Sequence, residues 1–145
     1  MNLAYEMRSV VRFADCDAAG IHFFPRYLER VNQCVEEWFA GPLRASFKTL
    51  HLDQRVGVPT ARLSVEFKAP SRLEDALSYR LHVVKVGRSS ANLRLRVVCG
   101  EELRLEVRQT LVFVDLETMK ARPWPDDLRQ RMAAFVSDAP EETPA

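Results

Sequence analysis

Asp15 and Asp17 stand two residues apart where an alternating segment gives way to a helix. Upstream, Tyr5, Met7, Val11 and Phe13 fall on one face and Glu6, Arg8 and Arg12 mostly on the other. That period of two predicts a strand. Downstream, Pro25 suits the first turn of a helix, where its missing N–H would have no partner in any case. Asp17 is thus expected beside free backbone N–H groups at a helix start, which stabilise negative charge developing in a reaction. A carboxylate so placed serves a hydrolytic reaction as nucleophile or as general base on water. The spacing does not separate the two roles.

The neighbouring groups fit this chemistry less well. Asp15 reads as a turn or hydrogen-bonding residue. Cys16 lies next to Asp17 on an extended approach, so the two side chains should point to opposite faces. His22 has no evident partner to orient it as a base. His51 and His82 are isolated, and no His or Cys spacing suits a metal, so neither metal nor cofactor is expected.

The elements that must position Asp17 are legible. Tyr27, Leu28, Val31, Cys34, Val35, Trp38 and Phe39 recur at helical spacing, and Gly41-Pro42 ends the helix. A short helix is expected within 43–50. Four strands follow, with inward sets Ala61 to Phe67, Leu77 to Val83, Ala91 to Val97, and Leu103 through Leu111 and Phe113 to about Asp115. Turns at Pro70-Ser71, Gly87-Arg88 and Gly100-Glu101 separate them. A last helix is expected to start at Asp126-Asp127, with Asp as N-cap. The order of strand, long helix and four strands predicts an α+β fold, an antiparallel sheet curved around one helix.

The 145 residues suit one domain, taken as 1–136, with a disordered acidic tail from Ser137 to Ala145. A formal charge of +1 favours neither nucleic acid nor a membrane surface. No apolar run approaches the roughly 20 residues that span a bilayer. The N-terminus has no signal-peptide pattern. Three cysteines without a disulfide framework point to a reduced, cytoplasmic protein.

The run Asp15-x-Asp17-x-x-Gly20-Ile21-x-x-Phe24-Pro25-x-Tyr27 resembles the signature of the 4-hydroxybenzoyl-CoA thioesterase family of hot-dog-fold proteins. The resemblance covers roughly residues 5–125. It implies hydrolysis of an acyl-CoA thioester without a cofactor, with Asp17 as the catalytic carboxylate and the Phe24 backbone N–H as oxyanion donor. It also implies a homotetramer, a dimer of dimers with active sites at the dimer interface.

Further site residues follow from the same resemblance. Asn32, by helix geometry a polar residue beside Phe39, corresponds to an Asp that contacts the substrate's 4-hydroxyl in the family. Val58, Pro59 and Thr60 line the same acyl pocket. Arg88, Ser89 and Ser90, by pattern an ordinary polar hairpin, correspond to a turn that contacts the CoA phosphates. Arg88 and Ser90 match the family's Arg-Arg-Lys-Ser run there, while Gly87 and Ser89 depart from it. The expected substrate is an aromatic, benzoyl-type acyl-CoA. The alternatives are a short or branched aliphatic acyl-CoA, or a non-catalytic protein that binds acyl-CoA or an acyl carrier.

Overall fold

A computed structural model describes residues 3–137. β1 (Tyr5–Val10) leads into α1 (Phe24–Ala40); β2 (Val56–Gly57), β3 (Thr60–Phe67), β4 (Ala76–Val86), β5 (Ser90–Cys99), β6 (Glu102–Val112) and β7 (Val114–Asp115) follow, and α2 (Asp126–Ala133) closes the described chain. Five strands form one antiparallel sheet in the order β1-β4-β5-β6-β3, and β2 pairs with β7 beside it.

Alternation decides which face the sheet buries. Leu77, Tyr79, Leu81 and Val83 of β4 are buried, as are Ala91, Leu93, Leu95 and Val97 of β5. The apolar stripe of α1 packs into this core, with Trp38 edge-on to Phe39 and to Phe135 beyond α2. Burying such aromatics contributes about 1.5–3 kcal/mol each. They fix the axis of α1, and with it the place of its N-terminus.

Several sequence expectations need correction. β1 ends at Val10, and Phe13, expected on the buried face, is 84% exposed. The chain turns there because Asp15 accepts the Arg12 N–H at 2.9 Å, closing a 3-10 turn over Phe13–Asp15. The helical segment expected within 43–50 begins at Phe47 and runs beyond that range, as a π-helical turn over Thr49–Asp53. The strand expected to reach Asp115 divides after Val112, where the chain passes from the β5–β6 ladder to a separate pairing of Val114 and Asp115 with Gly57 and Val56 of β2. α2 is capped by Pro125; Asp126 and Asp127 occupy its first turn, where they complement the helix dipole. Gly41 ends α1 at φ −86°, not in the left-handed region. Ser137, assigned to the tail, donates its N–H to the Val83 carbonyl at 3.1 Å, and the rest of the tail lies outside the described residues. Arg94 and Glu106, on the sheet face read as solvated, are buried and form an ion pair at 2.7 Å.

β3 is an edge strand. Its ladder to β6 occupies one side, and Leu63 and Phe67 are 44% and 57% exposed. An uncovered edge bearing apolar side chains is a template for pairing with another strand.

Candidate active site

The β1–α1 loop is built around its two aspartates. Asp15 is buried; besides the Arg12 N–H, it meets Arg30 at 3.5 Å, and its carbonyl accepts the Phe23 N–H at 2.7 Å. It ties the loop to the helix start and has no free face for chemistry. Asp17 is exposed. Its Oδ1 accepts the Ala19 N–H at 2.9 Å and the Ile21 N–H at 3.4 Å, and its backbone closes the loop through Ile21 and Gly20. Gly20 makes this loop affordable, because φ +77° is strained for any residue with a Cβ. Oδ2 has no hydrogen bond among the described residues.

The helix start leaves the Phe24 N–H without an acceptor. Pro25 has no N–H, and the Arg26 N–H is bonded to the Phe23 carbonyl at 3.0 Å. The Phe24 N–H has no intrahelical acceptor, being the first of the helix, and finds none elsewhere among the described residues. Asp17 and Phe24 line one cavity of about 490 Å³, together with Ile21, His22, Tyr27 and Phe67.

The wall of this cavity is rigid. His22 stacks on Tyr27 with ring centroids 3.8 Å apart. Tyr27 donates its hydroxyl to Ser71 Oγ at 2.5 Å, Arg104 donates to the same oxygen at 3.1 Å, and Asp75 holds Arg104 at 2.8 Å. Burial pushes the His22 pKa down, favouring the neutral ring. His22 Nδ1 lies 3.1 Å from the Phe23 carbonyl, so in the neutral ring Nδ1 carries the proton. The ring thereby fixes the backbone next to Phe24. Cys16 points its thiol at the Arg12 carbonyl at 3.6 Å and does not line the cavity.

Asn32, Val58, Pro59 and Thr60 do come together. They line a second cavity of about 260 Å³ with His51 and Gln109 among its other walls. Asn32 is exposed on the side of α1 and reaches this cavity from its rim. Arg88, Ser89 and Ser90 line neither cavity. Their backbone is pinned: Trp124 donates to the Arg88 carbonyl at 3.0 Å and, through its indole, to the Ser90 carbonyl at 3.0 Å. The Arg88 side chain is left exposed. The hairpin adjoins the second cavity's end of the sheet, since Ser90 pairs with Val112, whose N–H meets the Pro59 carbonyl at 3.1 Å.

Within one chain the two cavities are far apart. The first touches Phe67 and the second Thr60, at opposite ends of β3. Seven residues of strand span about 23 Å. A still larger concavity, about 750 Å³ beside β1 and Arg30, contains none of the candidate residues. Its one carboxylate, Glu6, is bonded to Arg8 at 3.0 Å.

Residues 11–132 match the Thioesterase-like superfamily. The chain belongs to this superfamily. It is 26% identical over 140 residues to a 1,4-dihydroxy-2-naphthoyl-CoA hydrolase of Nostoc punctiforme, covering 94% of this chain and 92% of that protein. Its fold matches that of a 1,4-dihydroxy-2-naphthoyl-CoA thioesterase from Synechocystis with TM-score 0.82, at 20% identity over 90% and 96% of the two chains. The gentisyl-coenzyme A thioesterase BH1999 matches with TM-score 0.76, at 22% identity over 88% and 98%. The fold is the hot-dog fold of thioesterases. No helix among the described residues is long and apolar enough to cross a membrane.

Sequence reasoning missed Ser71, Arg104 and Asp75, which lie far from Tyr27 along the chain and carry no local signal. It also missed Gln109, although the signal was present. Gln109 interrupts the inward series Leu105, Val107, Leu111 of β6 with a polar side chain.

Proposed function

We propose that this acyl-CoA thioesterase acts on an aromatic, benzoyl-type acyl group, with Asp17 as the reacting carboxylate and the Phe24 N–H as oxyanion donor. One observation carries the reading: Asp17, with a carboxylate oxygen left free, and Phe24, with an unpaired N–H, line one cavity. The thioester carbonyl oxygen, placed on the Phe24 N–H, gains a donor as its charge grows in the tetrahedral intermediate. Asp17 then acts in one of two ways. It attacks the carbonyl carbon, expelling CoA thiolate and leaving a mixed anhydride that water cleaves. Otherwise it takes a proton from an attacking water, and the thiolate leaves as the intermediate collapses.

The aromatic assignment is supported by the substrates for which its relatives are named, naphthoyl and gentisyl esters of CoA. It is compatible with the second cavity, where Val35, Phe47, Val58 and Leu111 surround a few polar groups, the usual composition of a small-molecule site. The second cavity reaches Asp17 if two chains pair antiparallel along their β3 edges. Antiparallel pairing sets Thr60 of one copy beside Phe67 of the other, so the partner's acyl cavity abuts this copy's Asp17. The exposed Leu63 and Phe67 would be covered in the same step. The homotetramer is then two such dimers.

A thiol-release screen over benzoyl, hydroxybenzoyl, aminobenzoyl, phenylacetyl and aliphatic CoA esters tests the assignment. Turnover of the benzoyl series above the aliphatic series supports it. Aliphatic preference contradicts the ring assignment, and retention of every ester unhydrolysed would make the chain a binding protein.

Two finer predictions belong here. Arg88→Ala should raise KM for CoA esters with kcat little changed, because a remote phosphate contact acts alike in ground and transition states. A truncated thioester without the nucleotide should be unaffected; equal effects on both substrates would make Arg88 a structural residue. Asn32→Asp should shift kcat/KM toward 4-hydroxybenzoyl-CoA relative to benzoyl-CoA. A single hydrogen bond to a charged group is worth about 1–3 kcal/mol. An unchanged ratio would remove Asn32 from the ring's surroundings.

A further inference from the structure

Gln109 is 6% exposed and stands between buried Val107 and Leu111 on β6, flanked across the sheet by Leu63 and Leu93. Its amide is half used. Nε2 donates to the Thr60 hydroxyl at 2.8 Å, while Oε1 is buried with no partner. Buried carbonyl oxygens are rarely left so, because nothing replaces the water they lose on burial. The bond to Thr60 holds the side chain against β3. Both residues line the second cavity.

His51 adds a second acceptor to that cavity. Its Nδ1 lies 2.7 Å from the Phe47 carbonyl, and a carbonyl cannot donate, so Nδ1 carries the proton. In the neutral ring Nε2 is then an acceptor. The ring is packed against Gly57, where an added Cβ would come 3.3 Å from Nε2. The polar groups fixed in this cavity therefore call for hydrogen-bond donors from whatever enters it.

We propose that Gln109 selects acyl rings that carry a hydroxyl, its Oε1 accepting the hydrogen bond. The proposal rests on the aromatic reading of the same cavity. A hydroxylated ring satisfies Oε1, whereas an unsubstituted ring leaves it unpaired. Sites built to pair a substrate hydroxyl discriminate strongly against the analogue that lacks it. Asn32 approaches from α1 and Gln109 from β6, so the two meet different parts of the ring.

The test compares kcat/KM for benzoyl-CoA and the three monohydroxybenzoyl-CoA isomers in wild type and Gln109→Met, an unbranched side chain of similar length. Wild type should favour at least one isomer over benzoyl-CoA by about 10–100-fold. Gln109→Met should bring that ratio close to one by lowering kcat/KM for the favoured hydroxylated ester more than for benzoyl-CoA. A preference that survives the substitution overturns the proposal. So does an equal loss on every ester, which would mean that Gln109 only braces Thr60. If Gln109→Met does not fold, wild type decides alone, using amino and fluoro analogues at the favoured ring position. The amino ester donates and should keep the advantage; the fluoro ester cannot and should fall to the benzoyl level. A fluoro ester as good as the hydroxy ester overturns the proposal. Wild type that cleaves aliphatic but no aromatic esters overturns the aromatic reading, and this assignment with it. Aromatic turnover with an unaltered ratio overturns this assignment alone.

Discussion

Asp17→Asn should fold as wild type does and lose about 10²–10⁴-fold in kcat, the usual contribution of a positioned acid or base group. The amide retains the size of the carboxylate and can keep Oδ1 on the Ala19 and Ile21 N–H groups. It loses the negative charge and basicity of the free oxygen, which both routes to thioester cleavage require. Thermal melting and thiol release on the same preparation separate folding from chemistry. Near wild-type turnover by the folded variant would remove Asp17 from the reaction. Cys16→Ser should change little, since that thiol is turned to the Arg12 carbonyl. A comparable loss there would favour a thiol mechanism instead.

The second large effect is a recovery of activity. Asn32→Trp should fill the second cavity and abolish turnover, as Asp17→Asn does at the first. Co-expressed, the two inactive chains should regain about a quarter of wild-type activity. Random pairing in a two-fold dimer makes half the dimers hybrid, and each hybrid has one site with both halves intact. If one chain supplied both halves, every site would carry a defect and the mixture would stay inactive. The experiment therefore reads whether the roughly 23 Å between Thr60 and Phe67 within a chain is bridged by a partner.

Much of this fold was legible because the sheet repeats one simple rule. Inward Leu77, Tyr79, Leu81 and Val83 alternate with polar neighbours, and burial follows that alternation residue by residue. β2 escaped because two residues carry no period, and so did the break that sets β7 apart from β6. Phe13 misled because hydrophobic patterning cannot see that Asp15 will bend the chain just before it. Arg94 and Glu106 looked solvated because each is charged, and only their pairing across neighbouring strands makes burial tolerable.

The candidate site divides along the same line. The loop motif and Pro25 pointed to Asp17 and Phe24, because their relation is local and the missing proline N–H is written in the sequence. The brace from Tyr27 to Ser71, Arg104 and Asp75 joins residues distant in the chain and has no local trace. Asn32 and Asp17 looked like parts of one site, yet one chain holds them in different cavities. In the dimer proposed above a second copy completes the site, and no pattern within one chain encodes that relation.

The most direct measurement is a crystal structure with a phenacyl-CoA ketone, in which a methylene between carbonyl and sulfur prevents hydrolysis. The ketone oxygen should lie within about 3.2 Å of the Phe24 nitrogen, a normal hydrogen-bond distance. Its carbonyl carbon should face the free oxygen of Asp17, and its ring should enter the cavity of Asn32 and Gln109 on the partner copy. A ketone held away from Phe24, or a ring lodged where Asp17 cannot reach the carbonyl, would contradict the account.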